Sequence, residues 1–395
     1  MSLTARLGRA TAHLPAPVAV VDLDAFDANA ADLRRRAGGA PVRLASKSVR
    51  VRALLDRALA SGFTGVMAYS VAEALWLVGT GVRDVLVGYP SVDRHALARL
   101  AQDVTARREI TLMVDDVAQL VPLRDALAAG DGEAPPVRVC LDVDASLRVG
   151  LGRWRAHLGT RRSPLRTPGD VATLAARVGA VPGARLRGLM LYEAQVAGLP
   201  DTSPAVRVVK RWSVADVDSR RGALLAAAAD AAGHGLDLVN SGGTGSLETS
   251  AAGPHVTEVT AGSGLFTPGL FDGYRSFRPR PAAFFGLDVV RVPATGWATA
   301  FGGGYVASGP AGRSRLPRVV TDGWALTGPE GAGEVMTPLR RRSSGARPLR
   351  VGDRVWMRHA KAGELMERFA EVHLVRGDEV VDIVPTYRGE GRVFG

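Results

Sequence analysis

The chain has 395 residues, 46% of them hydrophobic and 23% charged, which fits a globular protein with a full core and suggests two domains or a barrel with a smaller partner. The net charge is +11, but the arginines are scattered and aromatics reach only 6%, so no basic stripe interleaved with stacking rings argues for nucleic-acid binding. A single cysteine, Cys140, rules out an intramolecular disulfide, and no apolar run is long enough to span a membrane or form a secretion signal. A reduced, cytoplasmic protein is expected.

In chain order, residues 17–24 form an apolar leading strand. From about residue 40 to 265 one theme repeats, a short β-branched run followed by an Ala/Leu-rich amphipathic stretch. Strands are expected at 42–47, 65–70, 84–89, 109–114, 137–144, 186–193, 236–241 and 256–262. Helices are expected at 51–60, 71–78, 93–102, 117–128, 170–178 and 215–232. The strands are apolar on both faces, as in a buried parallel sheet, and eight such units favour a (β/α)8 TIM-like barrel over a doubly wound open sheet. After about residue 275 glycine, proline and short strand-like runs take over (286–292, 297–301, 318–320, 354–357, 371–375 and 379–384), which predicts a C-terminal all-β domain. The expected division is a barrel over 17–272 and a β domain made of 1–16 plus 273–395. The arginine runs at 34–36 and 340–342 read as a solvated helix face and a loop, and Cys140 as a buried, inert thiol.

Of the 50 basic residues only Lys47, Lys210 and Lys361 are lysines. Arginine serves for surface charge, but a guanidinium stays protonated and cannot act as a nucleophilic amine. Lys47 ends the first barrel strand. The glycine-rich segments Ser241-Gly242-Gly243-Thr244 and Gly262-Ser263-Gly264 end the seventh and eighth, where barrels commonly bind phosphate through backbone N–H groups. An amine facing a phosphate cradle is the arrangement that pyridoxal 5′-phosphate needs. Lys210, in Val208-Val209-Lys210-Arg211-Trp212, reads as part of a solvated charged segment without a role.

Several stretches follow one another in a familiar order. They are Val21-Asp22-Leu23-Asp24, Lys47, Asp142-Val143-Asp144 with Arg148, Gly188-Leu189-Met190-Leu191-Tyr192-Glu193, Ser241-Gly242-Gly243-Thr244, and Glu258-Val259-Thr260-Ala261-Gly262-Ser263. Together they resemble the alanine-racemase-like, fold-type III pyridoxal phosphate enzymes, in the D-threonine aldolase/D-serine dehydratase branch. The resemblance implies that Lys47 is the Schiff-base lysine, that Arg148 lies beside the cofactor ring and its phenolic oxygen, and that Tyr192 contacts the ring. It implies that Thr260 faces the pyridine nitrogen, a neutral partner that leaves the nitrogen unprotonated. It also implies a homodimer.

The same branch carries a divalent-metal pair, a histidine followed two residues later by an aspartate or cysteine. His359 matches the first ligand, whereas Lys361 stands at the second, and an ammonium does not ligate a cation. Either Glu364 or a neighbour supplies the missing ligand, or the Lys361 ammonium takes the cation's place beside the substrate hydroxyl. The second reading is preferred, since a mobile point charge can replace a dication. Gln195 stands where the branch often has a histidine, and His13, His95, His157, His234, His255 and His373 read as structural.

The activity this implies is cleavage of a D-β-hydroxy-α-amino acid to glycine and an aldehyde, with His359 and Lys361 deprotonating the β-hydroxyl. Dehydration with release of ammonia, and racemisation or epimerisation, are the enzymatic alternatives. A non-catalytic pyridoxal phosphate carrier is disfavoured by the C-terminal β domain. The loops at 151–166 and 196–216 are expected to shape the side-chain pocket.

Overall fold

A computed structural model describes residues 2–130, 133–150 and 156–394. The chain forms two compact units. One takes in the residues up to Asp32, Lys47–Ala58 and Ser263–Val393; the other consists of Leu33–Ser46, Leu59–Gly262 and the terminal Phe394.

The strands, in chain order, are β1 (Val18–Asp22), β2 (Val42–Ala45), β3 (Val66–Ala68), β4 (Val85–Val87), β5 (Ile110–Val114), β6 (Val137–Asp142), β7 (Leu147–Val149), β8 (Ala156–Leu158), β9 (Ala184–Leu191), β10 (Leu238–Ser241), β11 (Glu258–Ala261), β12 (Ala283–Arg291), β13 (Trp297–Phe301), β14 (Arg318–Val319), β15 (Trp324–Leu326), β16 (Met336–Arg341), β17 (Arg354–Arg358), β18 (Glu371–Arg376) and β19 (Glu379–Pro385). In the second unit β2, β3, β4, β5, β6, β9, β10 and β11 close into a parallel barrel, with β11 pairing back onto β2. Every residue of β2, β4 and β5 is buried, because helices cover the outside while side chains fill the inside. Leu86, Met113, Cys140, Met190 and Leu238 pack together, with Met67 and Tyr192 against them. Burial pushes the Cys140 thiol well above its ordinary value, so it is an inert core residue. All eight expected barrel strands form, to within a few residues at their ends.

Toward the N-terminal ends of the strands the barrel is charged rather than apolar. Arg43, fully buried, donates from Nε and Nη2 to the two oxygens of Glu258 (2.6 and 2.8 Å) and from Nη2 to Asp84 (2.6 Å). Arg187 adds a bond to Asp84 (2.6 Å) and one to the Thr111 hydroxyl (3.0 Å). Burial alone would raise the Asp84 carboxyl, but Arg43 and Arg187 outweigh it and bring it to about 2.

The first unit is built on a nine-stranded mixed sheet. Strand β1, expected at the head of the barrel, belongs here. It runs antiparallel to β12 and parallel to β18, and both its faces are buried. An apolar five-residue run looks the same in either sheet, so only its hydrogen-bond partners decide. Leu7, Ala10, Val18, Val20, Phe284, Trp356 and Val375 form the core of this unit, the first two from the helix Leu3–Ala10.

Some local expectations change. The helix expected at 215–232 begins already at Pro204, where the Ser203 hydroxyl accepts from Val206 N (3.2 Å) and proline occupies the first turn. Lys210 therefore lies on a helix and pairs with Asp201 at 2.8 Å, its side chain only 11% exposed, rather than being solvated. Arg36 turns inward to Glu248 (2.5 Å) and the Thr244 carbonyl (2.8 Å), unlike exposed Arg34 and Arg35. Arg340 and Arg341 sit in β16, not a loop, because Thr337 and Leu339 supply the inward alternation of a strand. His373 lies within β18, buried against the Ala19 carbonyl. Residues 151–155 of the expected pocket loop lie outside the described residues. Among the described residues no helix is long and apolar enough to cross a membrane.

Candidate active site

The residues singled out from the sequence fall into two groups, one in each unit. In the barrel unit they gather at the C-terminal strand ends. Asp144, two residues beyond β6, accepts from the Ser146 N–H and hydroxyl (2.9 Å each), from Arg148 Nη2 (2.7 Å) and from Arg166 Nη1 (3.2 Å). Burial raises the Asp144 carboxyl, but Ser146 and Arg148 outweigh it and hold it below its usual range. Arg148 is thereby fixed by one end of its fork, and its buried Nε has no hydrogen-bond partner among the described residues. Such an orphan donor is costly unless a ligand oxygen meets it.

Tyr192 follows β9 directly. The Arg162 guanidinium lies over its ring at 5.6 Å and over Tyr89 at 5.9 Å. Burial pushes the Tyr192 hydroxyl up to about 12, against the pull of Arg162, so it stays protonated at any physiological pH. Asp142, the last residue of β6, lines a small open pocket with Asp144, Arg162, Ser163 and Tyr192. Burial first, then the Asp115 carboxyl, pushes Asp142 up to about 7, with Arg162 opposing.

The glycine turn after β10 differs from what its sequence promised. The buried Glu193 carboxylate takes the Ser241 hydroxyl (2.9 Å), the Gly242 N–H (3.0 Å) and the Ser250 hydroxyl (2.7 Å). The Gly243 N–H goes to Ser246 Oγ at 3.1 Å. Ser241, Gly242 and Gly243 thus shape this turn through internal bonds instead of presenting their donors. Gly242 has φ +82°, and a Cβ there would lie 2.9 Å from Ser250, so both backbone and space call for glycine. Thr244 and Gly262 continue this turn and the one after β11. Thr260 is buried on β11 and accepts from Asn240 Nδ2 at 2.7 Å. Gln195 is buried, donating to the Ala145 carbonyl at 2.7 Å.

In the other unit Lys47 sits in the single 3-10 turn Ser46–Ser48, exposed, immediately after the last residues of β2. Its carbonyl accepts from Arg50 Nε (3.1 Å), and Arg50 is held by Glu367 (2.9 Å). Gly363, at φ +86°, packs so closely that a Cβ would lie 2.0 Å from the Lys47 carbonyl oxygen. The Ser48 and Ser263 hydroxyls are 3.0 Å apart.

His359 follows β17 and is 4% exposed, with Nδ1 2.5 Å from the Lys361 carbonyl. Burial lowers its pKa below the ordinary value, against its backbone hydrogen bonds, so the imidazole is neutral at neutral pH. Lys361 Nζ donates to Ser308 Oγ (2.8 Å) and lies 3.6 Å from Glu364 Oε1. Glu364 accepts from the Ser308 N–H (2.8 Å) and, in a short bond, from its hydroxyl. His359, Lys361, Gly363 and Phe266 line a small open pocket. Among the described residues, no three His, Cys, Asp or Glu side chains stand where they could share a metal ion.

Asn240, Glu193 and Asp142 were given no role from the sequence. Asn240 and Glu193 act through side chains distant along the chain, and only the inward alternation of β10 (Leu238, then Asn240) hints at the first.

A closed parallel eight-stranded barrel with polar groups at its C-terminal rim, accompanied by a mixed β sheet, defines the class. Residues 21–268 match the model of the alanine racemase N-terminal domain, and the chain belongs to that family, a fold-type III pyridoxal phosphate family. It is 28% identical over 267 residues to a D-threonine aldolase of Arthrobacter sp., covering 67% of this chain and 64% of that protein. It is 30% identical over 267 residues to the D-threo-3-hydroxyaspartate dehydratase of Delftia sp. (strain HT23), covering 64% and 61%. The chain thus matches less than two thirds of the length of these relatives. The crystal structure of D-threonine aldolase from Filomicrobium marinum superposes with a TM-score of 0.78 over 100% of both chains at 23% identity, a likeness of fold.

Proposed function

We propose that the chain is a pyridoxal 5′-phosphate-dependent lyase that cleaves a D-β-hydroxy-α-amino acid to glycine and an aldehyde. The observation that carries this reading is Lys47. It is one of three lysines, it directly follows a strand of the barrel, and its backbone is clamped by Arg50 and Gly363. Family membership supports the cofactor, and similarity to D-threonine aldolase supports the reaction.

In this reading Lys47 supplies the amine that holds the cofactor aldehyde. Arg148, anchored on Asp144 and with its Nε unpartnered among the described residues, would meet the phenolic oxygen, and Tyr192 would contact the ring. Thr260 meets the ring nitrogen. Thr244, Gly262 and Ser263 bind the phosphate, while Ser241, Gly242 and Gly243 set the shape of the first turn through Glu193 and Ser246. The cofactor, when bound, supplies the electron sink that lets the Cα–Cβ bond break. His359, neutral because it is buried, takes the β-hydroxyl proton. The Lys361 ammonium, steadied by Ser308 and Glu364, stabilises the oxygen as charge develops there. Glu364 accepts from Ser308 with both oxygens and lies beside the Lys361 ammonium, an arrangement that supports the ammonium role.

Dehydration is the second reading, favoured by the relative from Delftia. It would follow if Lys361 gave its proton to the departing hydroxyl while the Lys47 amine took the Cα proton, with water then hydrolysing the released imine to ammonia and a keto acid. We expect a cytoplasmic homodimer, to be checked by light scattering.

Purified protein with added cofactor should be yellow, and Lys47→Ala should bleach it; a colourless wild type overturns the reading. Assays of D-threonine and D-serine for aldehyde and ammonia separate cleavage from dehydration. Activity that survives EDTA together with an inactive Lys361→Ala supports the ammonium role, whereas activity rescued only by added metal removes it.

A further inference from the structure

Asn240 is 1% exposed and shares a face of β10 with Leu238, whose side chain packs among Leu86, Met113, Cys140 and Met190 inside the barrel. Its Nδ2 lies 2.7 Å from Glu258 Oε1 and 2.7 Å from Thr260 Oγ1. The orientation of its amide is fixed by its surroundings. Both Glu258 oxygens already accept from the permanently charged Arg43 guanidinium, so the atom facing Oε1 must be a donor. With one amide proton spent on Glu258, the other points at Thr260, and the Thr260 hydroxyl must accept it. The hydroxyl's own proton then has to point elsewhere, and the Thr260 side chain has no other hydrogen-bond partner among the described residues.

We infer that Asn240, itself set by the buried Arg43–Glu258 pair, is a positioning residue that makes the Thr260 hydroxyl a one-way hydrogen-bond donor. A ligand atom beside Thr260 must then be an acceptor. A ligand N–H placed there would leave the hydroxyl proton buried without an acceptor, a penalty that discriminates between two protonation states of one ring. This inference rests on the proposed function, in which that atom is the ring nitrogen of pyridoxal phosphate. It adds that the chain enforces an unprotonated nitrogen through a relay of three further side chains, none of which touches the cofactor.

The test compares binding of pyridoxal 5′-phosphate and its 1-deaza analogue, in which the ring nitrogen is a C–H group, to the full-length protein by absorbance titration. The nitrogen-15 shift of labelled cofactor on the wild type is read alongside. The wild type should prefer the natural cofactor by about tenfold, the worth of one buried hydrogen bond, and show an unprotonated nitrogen. Thr260→Val should abolish the preference and Thr260→Ser should keep it. Asn240→Leu, close in shape and leaving Glu258 paired with Arg43, should reduce the preference severalfold although the hydroxyl remains. Equal binding by the wild type, or a protonated nitrogen, overturns the inference. So does an Asn240→Leu variant with the full preference. A visible cofactor band that depends on Lys47, with no preference between the two ligands, leaves the proposed function standing and removes only the relay. Absence of that band removes both.

Discussion

The barrel interior and the His359–Lys361 cluster use the same ingredients, a cation, a carboxylate and a hydroxyl, in opposite ways. Arg43, Glu258, Asn240 and Thr260 are nearly dry, and every donor aimed at Glu258 is matched to an acceptor. Lys361, Glu364 and Ser308 are partly open to solvent, and the Lys361 side chain is 36% exposed. A buried pair pays heavy desolvation and is worth keeping only if its geometry is fixed. A wet pair contributes little to stability but is free to exchange partners. The first arrangement suits a scaffold that must not move, and the second suits groups that give or take a proton.

The largest expected effect tests the dry side. Arg43→Met strands Glu258 without its cation and leaves Asp84 to Arg187, and should cost about 3–5 kcal/mol in urea unfolding. A loss below about 1 kcal/mol would break the contrast.

Asp142 comes next. Its folded pKa, raised to about 7 by burial and by Asp115, exceeds the unfolded value of about 3.9. The folded chain therefore holds this proton more tightly, and the resulting stability is full below pH ~4 and lost as the pH rises through 7. Asp142→Asn keeps the neutral shape. Its unfolding free energy should match the wild type near pH 4 and exceed it at pH 8 by roughly 2–4 kcal/mol. Parallel curves would refute the shifted carboxyl.

Gly363→Ala should cost about 1–3 kcal/mol, since a left-handed backbone and a 2.0 Å approach to the Lys47 carbonyl both oppose a side chain. Weaker cofactor binding, measured by absorbance titration, should accompany it, because the turn that carries Lys47 must shift.

Lys361→Ala should be the mildest in stability, within about 1 kcal/mol by thermal melting, yet the most damaging to turnover of the β-hydroxy substrate. A variant that melts far lower, or turns over normally, would make the cluster structural.

Much of the barrel was legible in the sequence. Its eight strands are apolar on both faces and separated by helices whose period is local, so 42–47 through 256–262 could be located without knowing their neighbours. Lys47 stood out because arginine replaces lysine almost everywhere else. What misled was any role set by a partner far along the chain. Ser241 and Gly242 looked like phosphate donors, yet Glu193, on the neighbouring strand's end, takes both. Arg36 looked solvated beside two exposed arginines until Glu248 claimed it.

The sequence alone determined the βα alternation, the all-β composition of the C-terminal third and the identity of the rare amines, because these depend on periodicity and residue chemistry. Tertiary structure alone decided that β1 joins the mixed sheet and that Glu193 occupies the glycine turn. It also decided that Asn240 dictates which way the Thr260 hydroxyl points. The physical reason is common to all three: backbone and side-chain polar groups must find partners once buried, and which partner is nearest is a property of the folded chain.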